Sequence, residues 1–453
     1  MKKNIFCKVN KTIHFVGIGG ISMSALAKYC LEFGFKVSGS DKRKNEQTEL
    51  LKKLGAKISI GHNRENVNGA NYVCYSSAIE EDNPEYLFAL ENKIPLLKRS
   101  ELLGQIASLH KTTIAVCGSH GKTTTTAMVS RILSLAKLSP TVFLGGKDRK
   151  TDNFIMGKKG YCVLEACEYK KNFLDILPNL SVVTNIDNDH LDSYESVEEQ
   201  IDCVNKFIDG SISVINIDDK NAKKLNNHLK ISIGIYNDAM YRAKNIKSLL
   251  DKQSFSVYAY GKRLGRIKLT LKGKHNIYNA LCAVAVASQC KIPFVFIKKG
   301  LEEFEGVERR DEYIGKLFGR KTFCDYAHHP NEIKSYLSSR DDLSNTLVIF
   351  QPHTYSRTKY LMKDFVNTFL EVKCGLIIYK TYPAREKYQK RGSAKTLYNN
   401  LIERENTYYE KSQKSLFNKI NELSQYDNIL IVGAGDIYDI VKGKIKKFKL
   451  EKS

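Results

Sequence analysis

The sequence predicts an α/β fold built on parallel sheets. Short apolar runs typical of strands alternate along the chain with helical patterns. The most informative turns directly follow strands, and two of these turns are glycine-rich loops that lead into a helix. Because backbone amides and a helix N-terminus favour anions, such loops predict where ligands bind as well as how the chain folds.

Composition narrows the class of protein. The 453 residues suggest two to four domains, and 42% hydrophobic with 27% charged residues is typical of folded globular proteins. No apolar run is long enough to span a membrane and the first residues lack a signal-peptide pattern, so we expect a cytoplasmic protein with no membrane partner. Eleven cysteines without a C-x-x-C pair argue against a zinc site or a disulfide framework.

The chain is strongly basic. Lys plus Arg number 72 and Asp plus Glu 49, which gives a net charge of +23. The lysines are spread along the whole chain, however, and no nucleic-acid-binding motif accompanies them. The charge therefore indicates a general surface property, and we predict no nucleic-acid partner.

The first glycine-rich loop follows the predicted strand 12–16 and precedes a predicted helix at 23–31. It departs from G-x-G-x-x-G because Ser22 replaces the third glycine, although an acid at Asp41 stands about where a ribose-binding acid would be. A tight turn without a ligand is the alternative interpretation. A second predicted strand ends in hydroxyl groups that are placed to meet a ligand. The candidate residues are Gly17, Gly19, Gly20, Ser22, Asp41, Ser76 and Ser77.

The second loop predicts a nucleoside-triphosphate site. It follows the predicted strand 113–117, and a helix is expected from Thr125 onward. Lys122 can neutralise phosphates and the Thr123 hydroxyl can bind Mg²⁺. Val116 stands where the strict Walker spacing requires glycine, so the loop is a compact variant. The loop residues are Gly118, Ser119, His120, Gly121, Lys122, Thr123 and Thr124.

Two further predicted strands end in acidic residues. One runs into Glu165, and the other extends from Ser181 to His190. Parallel strands deliver such side chains to the sheet edge that carries the phosphate loop. Glu165 and His190 are therefore predicted to bind a second divalent cation or to position the terminal phosphate, with solvated surface residues as the alternative interpretation.

Taken together, the motifs resemble the Mur ligase family. The resemblance rests on their order along nearly the whole chain: GIGGISMSALA at Gly17, CGSHGKTTTT at Cys117, LEACEY at Leu164, TNIDNDH at Thr184, GKHNIYNA at Gly273, FEGVERR at Phe304, DYAHHPNEI at Asp325, FQPHTYSRT at Phe350, TYPARE at Thr381 and GAGDI at Gly433. It implies three domains: a Rossmann-like UDP-sugar domain at 1–107, a central P-loop ATPase domain with a parallel sheet at 108–312, and a Rossmann-like, amino-acid-binding domain at 313–453.

The resemblance also implies a reaction. ATP would phosphorylate the lactyl carboxylate of UDP-N-acetylmuramate, and L-alanine would attack the resulting acyl phosphate, with Mg²⁺ as cofactor and a monomer or weak homodimer as the acting species. Lys122, Glu165 and His190 would be catalytic, and Thr123, Glu165 and His190 would bind metal. The remaining roles implied are adenine contacts by Asn276 and Asn279, a ribose contact by Asp325, and amino-acid or muramoyl contacts by Tyr326, His328, His353 and Arg357.

Other interpretations stay open at the level of sequence. Within the class, a ligase that attaches a whole tripeptide to the same sugar nucleotide shares much of the pattern. Outside it, the first loop fits an NAD-linked oxidoreductase, and the charge fits a basic nucleic-acid-binding ATPase. The last two leave HHP at 328–330 and PHTYSR at 352–357 unexplained.

Overall fold

The computed structural model describes residues 4–7, 11–187, 194–248, 252–340, 343–384 and 386–450. The chain forms two compact units, Met1–Val307 and Glu308–Ser453. Three mainly parallel sheets with intervening helices confirm the predicted α/β class. The finer division at 107/108 and 312/313 stays a prediction. None of the described helices combines the length and apolar character needed to cross a bilayer.

The first sheet has five parallel strands in the order β3-β2-β1-β4-β5. Its strands are β1 Thr12–Val16, β2 Lys36–Asp41, β3 Lys57–Ile60, β4 Tyr72–Tyr75 and β5 Leu96–Lys98. Its helices are α1 Ile21–Glu32, α2 Glu46–Lys53, α3 Pro84–Glu91 and α4 Arg99–Ala107. The strand order reverses between β1 and β4, and ligands of open parallel sheets bind outside such a reversal. The loops after these two strands are the ones that the sequence singles out.

The second sheet has ten strands in the order β15-β14-β13-β12-β11-β10-β6-β9-β7-β8. The strands are β6 Thr112–Cys117, β7 Thr141–Asp148, β8 Asp152–Ile155, β9 Tyr161–Glu165, β10 Leu180–Val183, β11 Ile212–Asn216, β12 Lys230–Gly234, β13 Tyr241–Ser248, β14 Gln253–Ala259 and β15 Lys262–Leu269. The helices are α5 Lys122–Leu135, α6 Val197–Ile208, α7 Lys274–Gln289 and α8 Phe294–Glu302. Strand β6 pairs in parallel with both β9 and β10, so the phosphate loop also starts at a reversal of strand order.

The third sheet has six strands in the order β16-β17-β21-β18-β19-β20, and all neighbours except β16 and β17 are parallel. The strands are β16 Glu312–Leu317, β17 Arg320–Asp325, β18 Thr346–Phe350, β19 Gly375–Tyr379, β20 Thr407–Glu410 and β21 Asn428–Val432. The helices are α9 Pro330–Ser338, α10 Tyr355–Tyr360, α11 Met362–Leu370, α12 Ala394–Asn399, α13 Gln413–Glu422 and α14 Ile437–Leu450. Short 3₁₀ helices lie at Ile5–Cys7, Arg64–Val67, Tyr169–Asp175, Ala222–Lys224 and Lys390–Gly392.

Two predicted boundaries are wrong. Helix α5 begins at Lys122 and not at Thr125, because Gly121 takes a left-handed conformation with φ +83° and caps the helix there. The strand predicted from Ser181 ends at Val183. The hydroxyl of the next residue, Thr184, turns back to donate to a carbonyl of the phosphate loop, so the chain leaves the sheet.

Candidate functional site

The glycine loop between β1 and α1 is held by the end of β2. The amides of Gly17 and Ile18 both donate to the Ser40 carbonyl at 2.9 Å, and the Gly19 amide donates to Asp41 Oδ2 at 2.9 Å. A Cβ on Gly19 would stand 2.9 Å from that same oxygen, so a larger residue there would displace the Asp41 side chain. The structure therefore brings Asp41 against the predicted loop. Gly20 caps α1, and Ser22 lies half-buried in its first turn.

The hydroxyl residues after β4 reach the second sheet. Ser77 Oγ accepts from Asn172 Nδ2 at 3.1 Å, and Asn172 belongs to the 3₁₀ helix that follows β9. Ser76 Oγ accepts from the Ala78 amide at 3.4 Å. Both serines thus stand at the sheet edge that carries the glycine loop, and Ser77 also contacts the segment that leads away from Glu165.

A buried carboxylate supports the glycine loop, and the sequence analysis missed it. Glu85 is fully buried at the start of α3 and accepts from Ser40 Oγ at 2.5 Å and from Asn66 Nδ2 at 2.6 Å. The rings of His14 and His62 lie 3.5 and 3.2 Å from the same carboxylate. Burial alone would raise the pKa of Glu85, but hydrogen bonds from His14, Ser40 and Asn66 outweigh it and hold the pKa at about 2.

Glu85→Gln is expected to destabilise the protein in a pH-dependent way. The native pKa of about 2 lies below the ordinary 4.5, so ionised Glu85 contributes about 3 kcal/mol at pH 7. That contribution is complete above pH 4.5 and is lost as the pH falls towards 2. Urea unfolding of both proteins at pH 7 and pH 3 measures it. Glu91→Gln, which removes one partner of an exposed ion pair on the same helix, is the control and should change little. If Glu85→Gln lowers the free energy of unfolding by the same amount at pH 7 and at pH 3, the stabilising role of ionised Glu85 is contradicted.

The phosphate loop is held in shape by its neighbours. Gly118 has φ +122°, and a Cβ there would stand 2.2 Å from Thr184 Oγ1. The Ser119 hydroxyl donates to the Asp187 carbonyl at 3.0 Å, and the His120 amide donates to Asn185 Oδ1 at 2.8 Å. Residues from the segment after β10 therefore fix the predicted loop. The sequence showed them only as part of a supposed strand.

Lys122 is bound to a buried acid. Its Nζ lies 3.2 Å from Glu168 Oε2, and it donates to the carbonyls of Gly118 and Ser119 at 2.5 and 3.0 Å. Glu168 Oε1 accepts from the Gly118 amide at 2.9 Å, so one carboxylate holds both the loop and its lysine. Burial would lower the pKa of Lys122, but the charges of Glu168 and Glu165 raise it above its ordinary value. Lys122 is therefore a permanent cation.

Thr123 and Glu165 lie at one sheet edge and contact each other, whereas the sequence analysis assigned them to two separate cations. The Thr123 hydroxyl donates to Glu165 Oε2 at 3.0 Å, and the Gly145 amide donates to Glu165 Oε1 at 2.5 Å. A hydroxyl and a carboxylate are the hard oxygen ligands that Mg²⁺ prefers. Thr124 follows as a buried residue in the first turn of α5. His190 lies outside the described residues, so its proposed role stays a prediction.

Asn276 and Asn279 lie under the phosphate loop. Asn279 Oδ1 accepts from Thr125 Oγ1 at 3.2 Å and would stand 2.4 Å from a Cβ on Gly121. Asn279 Nδ2 donates to Asn276 Oδ1 at 3.2 Å. Both side chains are buried at the start of α7. The structure thus brings both to the triphosphate loop, and their contact with adenine stays a prediction.

A small pocket lies between α1, α4, β7 and the end of β9 in the first unit. Its lining includes Ser22 from the first turn of α1 and, from the second sheet, Gly145 and Glu165. Arg99, the first residue of α4, also lines this pocket. Asn153 fixes α1 against the second sheet, since its Nδ2 donates to the Ile21 carbonyl at 2.6 Å. Ser22 of the predicted sugar-nucleotide set and Glu165 of the predicted metal set therefore line the same small pocket, together with apolar side chains.

The second unit collects the predicted amino-acid residues. The rings of Tyr326 and His328 lie 5.3 Å apart, and those of His328 and His353 lie 5.7 Å apart. Burial, with a smaller effect of the Arg357 charge, lowers the pKa of His328 to about 3 and of His353 to about 4. Within the described residues, His353 Nδ1 and Arg357 Nη1 are buried without a hydrogen-bond partner. This cluster offers a ligand the Arg357 guanidinium and two neutral imidazoles.

Asp325 lies beside that cluster at the end of β17. Its two oxygens accept from the amides of Asp311 and Ala327, each at 2.8 Å. Burial raises its pKa to about 6 despite the opposing charge of Arg310. The carboxylate is thus placed at a strand end, and its contact with ribose stays a prediction.

Comparison with known proteins agrees with this arrangement. The model described as "Mur ligase family, catalytic domain" matches residues 12–111, and the model described as "Mur ligase middle domain" matches residues 116–287. A UDP-N-acetylmuramate–L-alanine ligase of Aquifex aeolicus is 42% identical over 98% of this chain and 99% of its own length. The same enzyme of Clostridium acetobutylicum is 40% identical over 95% and 97%.

Solved structures give the same result. The crystal structure of a UDP-N-acetylmuramate-alanine ligase from Thermotoga maritima superposes with a TM-score of 0.84 at 29% identity, covering 97% of this chain and 99% of that one. A murein peptide ligase from Psychrobacter arcticus shares the fold with a TM-score of 0.71 at 20% identity, covering 97% and 98%. The two family models match more than half of the chain and the relatives align over nearly all of it, so this chain belongs to the Mur ligase family.

Proposed function

We propose that this chain joins L-alanine to the lactyl carboxylate of UDP-N-acetylmuramate, with conversion of ATP to ADP and phosphate, in the synthesis of a peptidoglycan precursor. The observation that carries the proposal is the small pocket lined both by Ser22, beside the glycine loop, and by Glu165, which is hydrogen-bonded to Thr123 of the phosphate loop. The relatives that align over nearly the whole chain bear the name of this reaction. We also propose that the protein is cytoplasmic and acts as a monomer or weak homodimer.

The first step activates the acid. An oxygen of the lactyl carboxylate attacks the γ-phosphorus of ATP, the bond to the β–γ bridging oxygen breaks, and ADP leaves. Because two anions must approach each other in a water-poor site, cations have to offset their repulsion. Lys122 is a permanent cation at this position and is held there by the Gly118 and Ser119 carbonyls. The loop amides offer further donors to phosphate oxygens.

The residues present fit a magnesium ion. Thr123 and Glu165 would bind it, and His190 is proposed as a further ligand. When bound, Mg²⁺ neutralises charge on the phosphates. Glu165 is kept in place by the Gly145 amide, and a Cβ on Gly145 would stand 2.7 Å from its Oε2, so a larger residue there would displace the carboxylate.

The second step forms the amide bond. The free amine of L-alanine attacks the acyl carbon, the bond from that carbon to the phosphate oxygen breaks, and the nitrogen passes one proton to the departing phosphate or to water. We assign binding of the amino-acid carboxylate or the muramoyl end to Arg357, whose buried Nη1 has no partner among the described residues. His328 and His353 are neutral at pH 7 because of their lowered pKa values, so they do not repel an incoming ammonium group.

Phosphate release tests the proposal. We expect release from ATP to require UDP-N-acetylmuramate and L-alanine together, because the acyl phosphate forms only on the sugar nucleotide and turns over only with the amine. The assay is run with each substrate alone, with both, and with the tripeptide in place of L-alanine. Turnover with the tripeptide but not with L-alanine would favour the recycling ligase. Full release without the sugar nucleotide would contradict both.

A further inference from the structure

We propose that Arg99 binds the lactyl carboxylate of the sugar nucleotide and holds it between the glycine loop and the phosphate loop. The inference rests on the proposed function and adds a substrate-binding residue to it. Arg99 lines the small pocket together with Ser22, Gly145 and Glu165, and the rest of the pocket's lining is apolar. The glycine loop is suited to a diphosphate, and Thr123 and Glu165 are suited to the terminal phosphate. The group that belongs between them is the acid to be phosphorylated.

Arg99 makes no polar contact among the described residues that would stabilise the fold. Within the described part of the chain, no hydrogen bond or ion pair engages the Arg99 guanidinium, although the side chain is half-buried. Arg99 is also the first residue of α4, where the helix dipole disfavours a positive charge. Glu101, the acidic residue in the same helix turn, accepts a hydrogen bond from the Lys98 amide. An unpaired cation in such a place indicates that an anion supplied from outside completes it.

The two thiols near Arg99 do not neutralise it. Its charge acts on the thiols of Cys74 and Cys167. Burial raises the pKa of both thiols, so neither carries a negative charge at pH 7. Glu165 lines the same pocket, but its oxygens accept from Thr123 Oγ1 and the Gly145 amide. The guanidinium is therefore available to a carboxylate, which it can bind through two parallel hydrogen bonds.

Arg99 would act on the substrate alone. Binding the carboxylate fixes one of its oxygens and offsets the repulsion that the approaching γ-phosphate feels. ATP binding uses the other residues of the site, so the effect should appear in the affinity for the sugar nucleotide and not in the KM for ATP. The diphosphate is the other anion within this substrate. If substitution of Arg99 also weakens binding of nucleotides that lack the acid, the diphosphate and not the carboxylate is the partner of Arg99.

The test compares Arg99→Gln and Arg99→Lys with the unaltered protein by calorimetry. The ligands are UDP-N-acetylmuramate and UDP-N-acetylglucosamine, which carries the same diphosphate without the lactyl acid. We expect Arg99→Gln to weaken UDP-N-acetylmuramate about 10- to 100-fold and to change UDP-N-acetylglucosamine less than about twofold, with Arg99→Lys in between. Arg64→Gln, which breaks an exposed ion pair with Glu91, is the matched control and should change neither.

Three other results would overturn the role proposed for Arg99. An equal loss for both nucleotides would overturn the proposal in favour of the diphosphate, and no loss for either would show that Arg99 binds no part of the substrate. Thermal unfolding of the variants should match the unaltered protein because Arg99 has no partner to lose within the described residues. A fall in Tm for both variants would assign Arg99 a structural role instead. If the unaltered protein does not bind UDP-N-acetylmuramate, the proposed function itself fails.

Discussion

Lys122→Ala is expected to lower kcat for phosphate release by at least about 10²-fold, a loss of about 3 kcal/mol of transition-state stabilisation. Lys122 is a permanent cation at the start of α5, and no other described lysine donates to the carbonyls of Gly118 and Ser119. Steady-state rates with saturating ATP, UDP-N-acetylmuramate and L-alanine measure the loss. Full turnover in the variant would refute the assignment of this loop.

The same substitution should also destabilise the fold, and the two effects can be separated. Lys122 is the ion-pair partner of Glu168, which is fully buried. Removing the lysine leaves that carboxylate uncompensated at a cost of about 3 kcal/mol or more. Adding Glu168→Gln to Lys122→Ala should recover part of the stability without recovering the rate. Lys150→Ala, at an exposed ion pair with Glu305, is the control and should leave both unchanged.

The sequence predicted those parts of the structure that depend on local patterns. Both glycine loops, the strands that precede them and the placement of Thr123 and Glu165 at one sheet edge follow from strand periodicity and from the rule that parallel strands end together. The start of α5 was missed by a few residues, because whether Gly121 ends the loop or continues it depends on the Asn279 side chain against which it packs. That contact joins positions far apart in the chain.

Supporting residues were missed for the same reason. Glu85 is an unremarkable acid at the start of a helix in the sequence, and only the fold shows that it holds Ser40, which in turn holds the glycine loop. Glu168 appeared as one of two acids after a strand, yet it is the one that binds Lys122. A glutamate in an apolar stretch is a weak signal for such a role. The antiparallel strands β13 to β15 carried no chemical motif and were not predicted.

Glu165→Gln is expected to lower kcat about 10²- to 10³-fold and to raise the Mg²⁺ concentration needed for half-maximal rate by about tenfold or more. Glutamine keeps the size of the side chain and one oxygen for the Gly145 amide, so the local fold should persist. What is lost is the negative charge beside Thr123, on which binding of a divalent cation depends. Initial rates across a Mg²⁺ titration at saturating substrates give both quantities.

Two further variants make that result specific to the site. Thr123→Ser keeps a hydroxyl for Glu165 and should stay close to the unaltered enzyme, whereas Thr123→Val removes it and should shift the Mg²⁺ dependence in the same direction as Glu165→Gln. Glu305→Gln removes an acid of the same kind from an exposed ion pair and should shift nothing. Only a residue that binds the cation should change the Mg²⁺ dependence of the rate. A purely structural role for Glu165 would therefore lower Tm and leave the Mg²⁺ titration unchanged. An unchanged titration in Glu165→Gln would therefore remove Glu165 and Thr123 from the metal site, whatever happens to the rate.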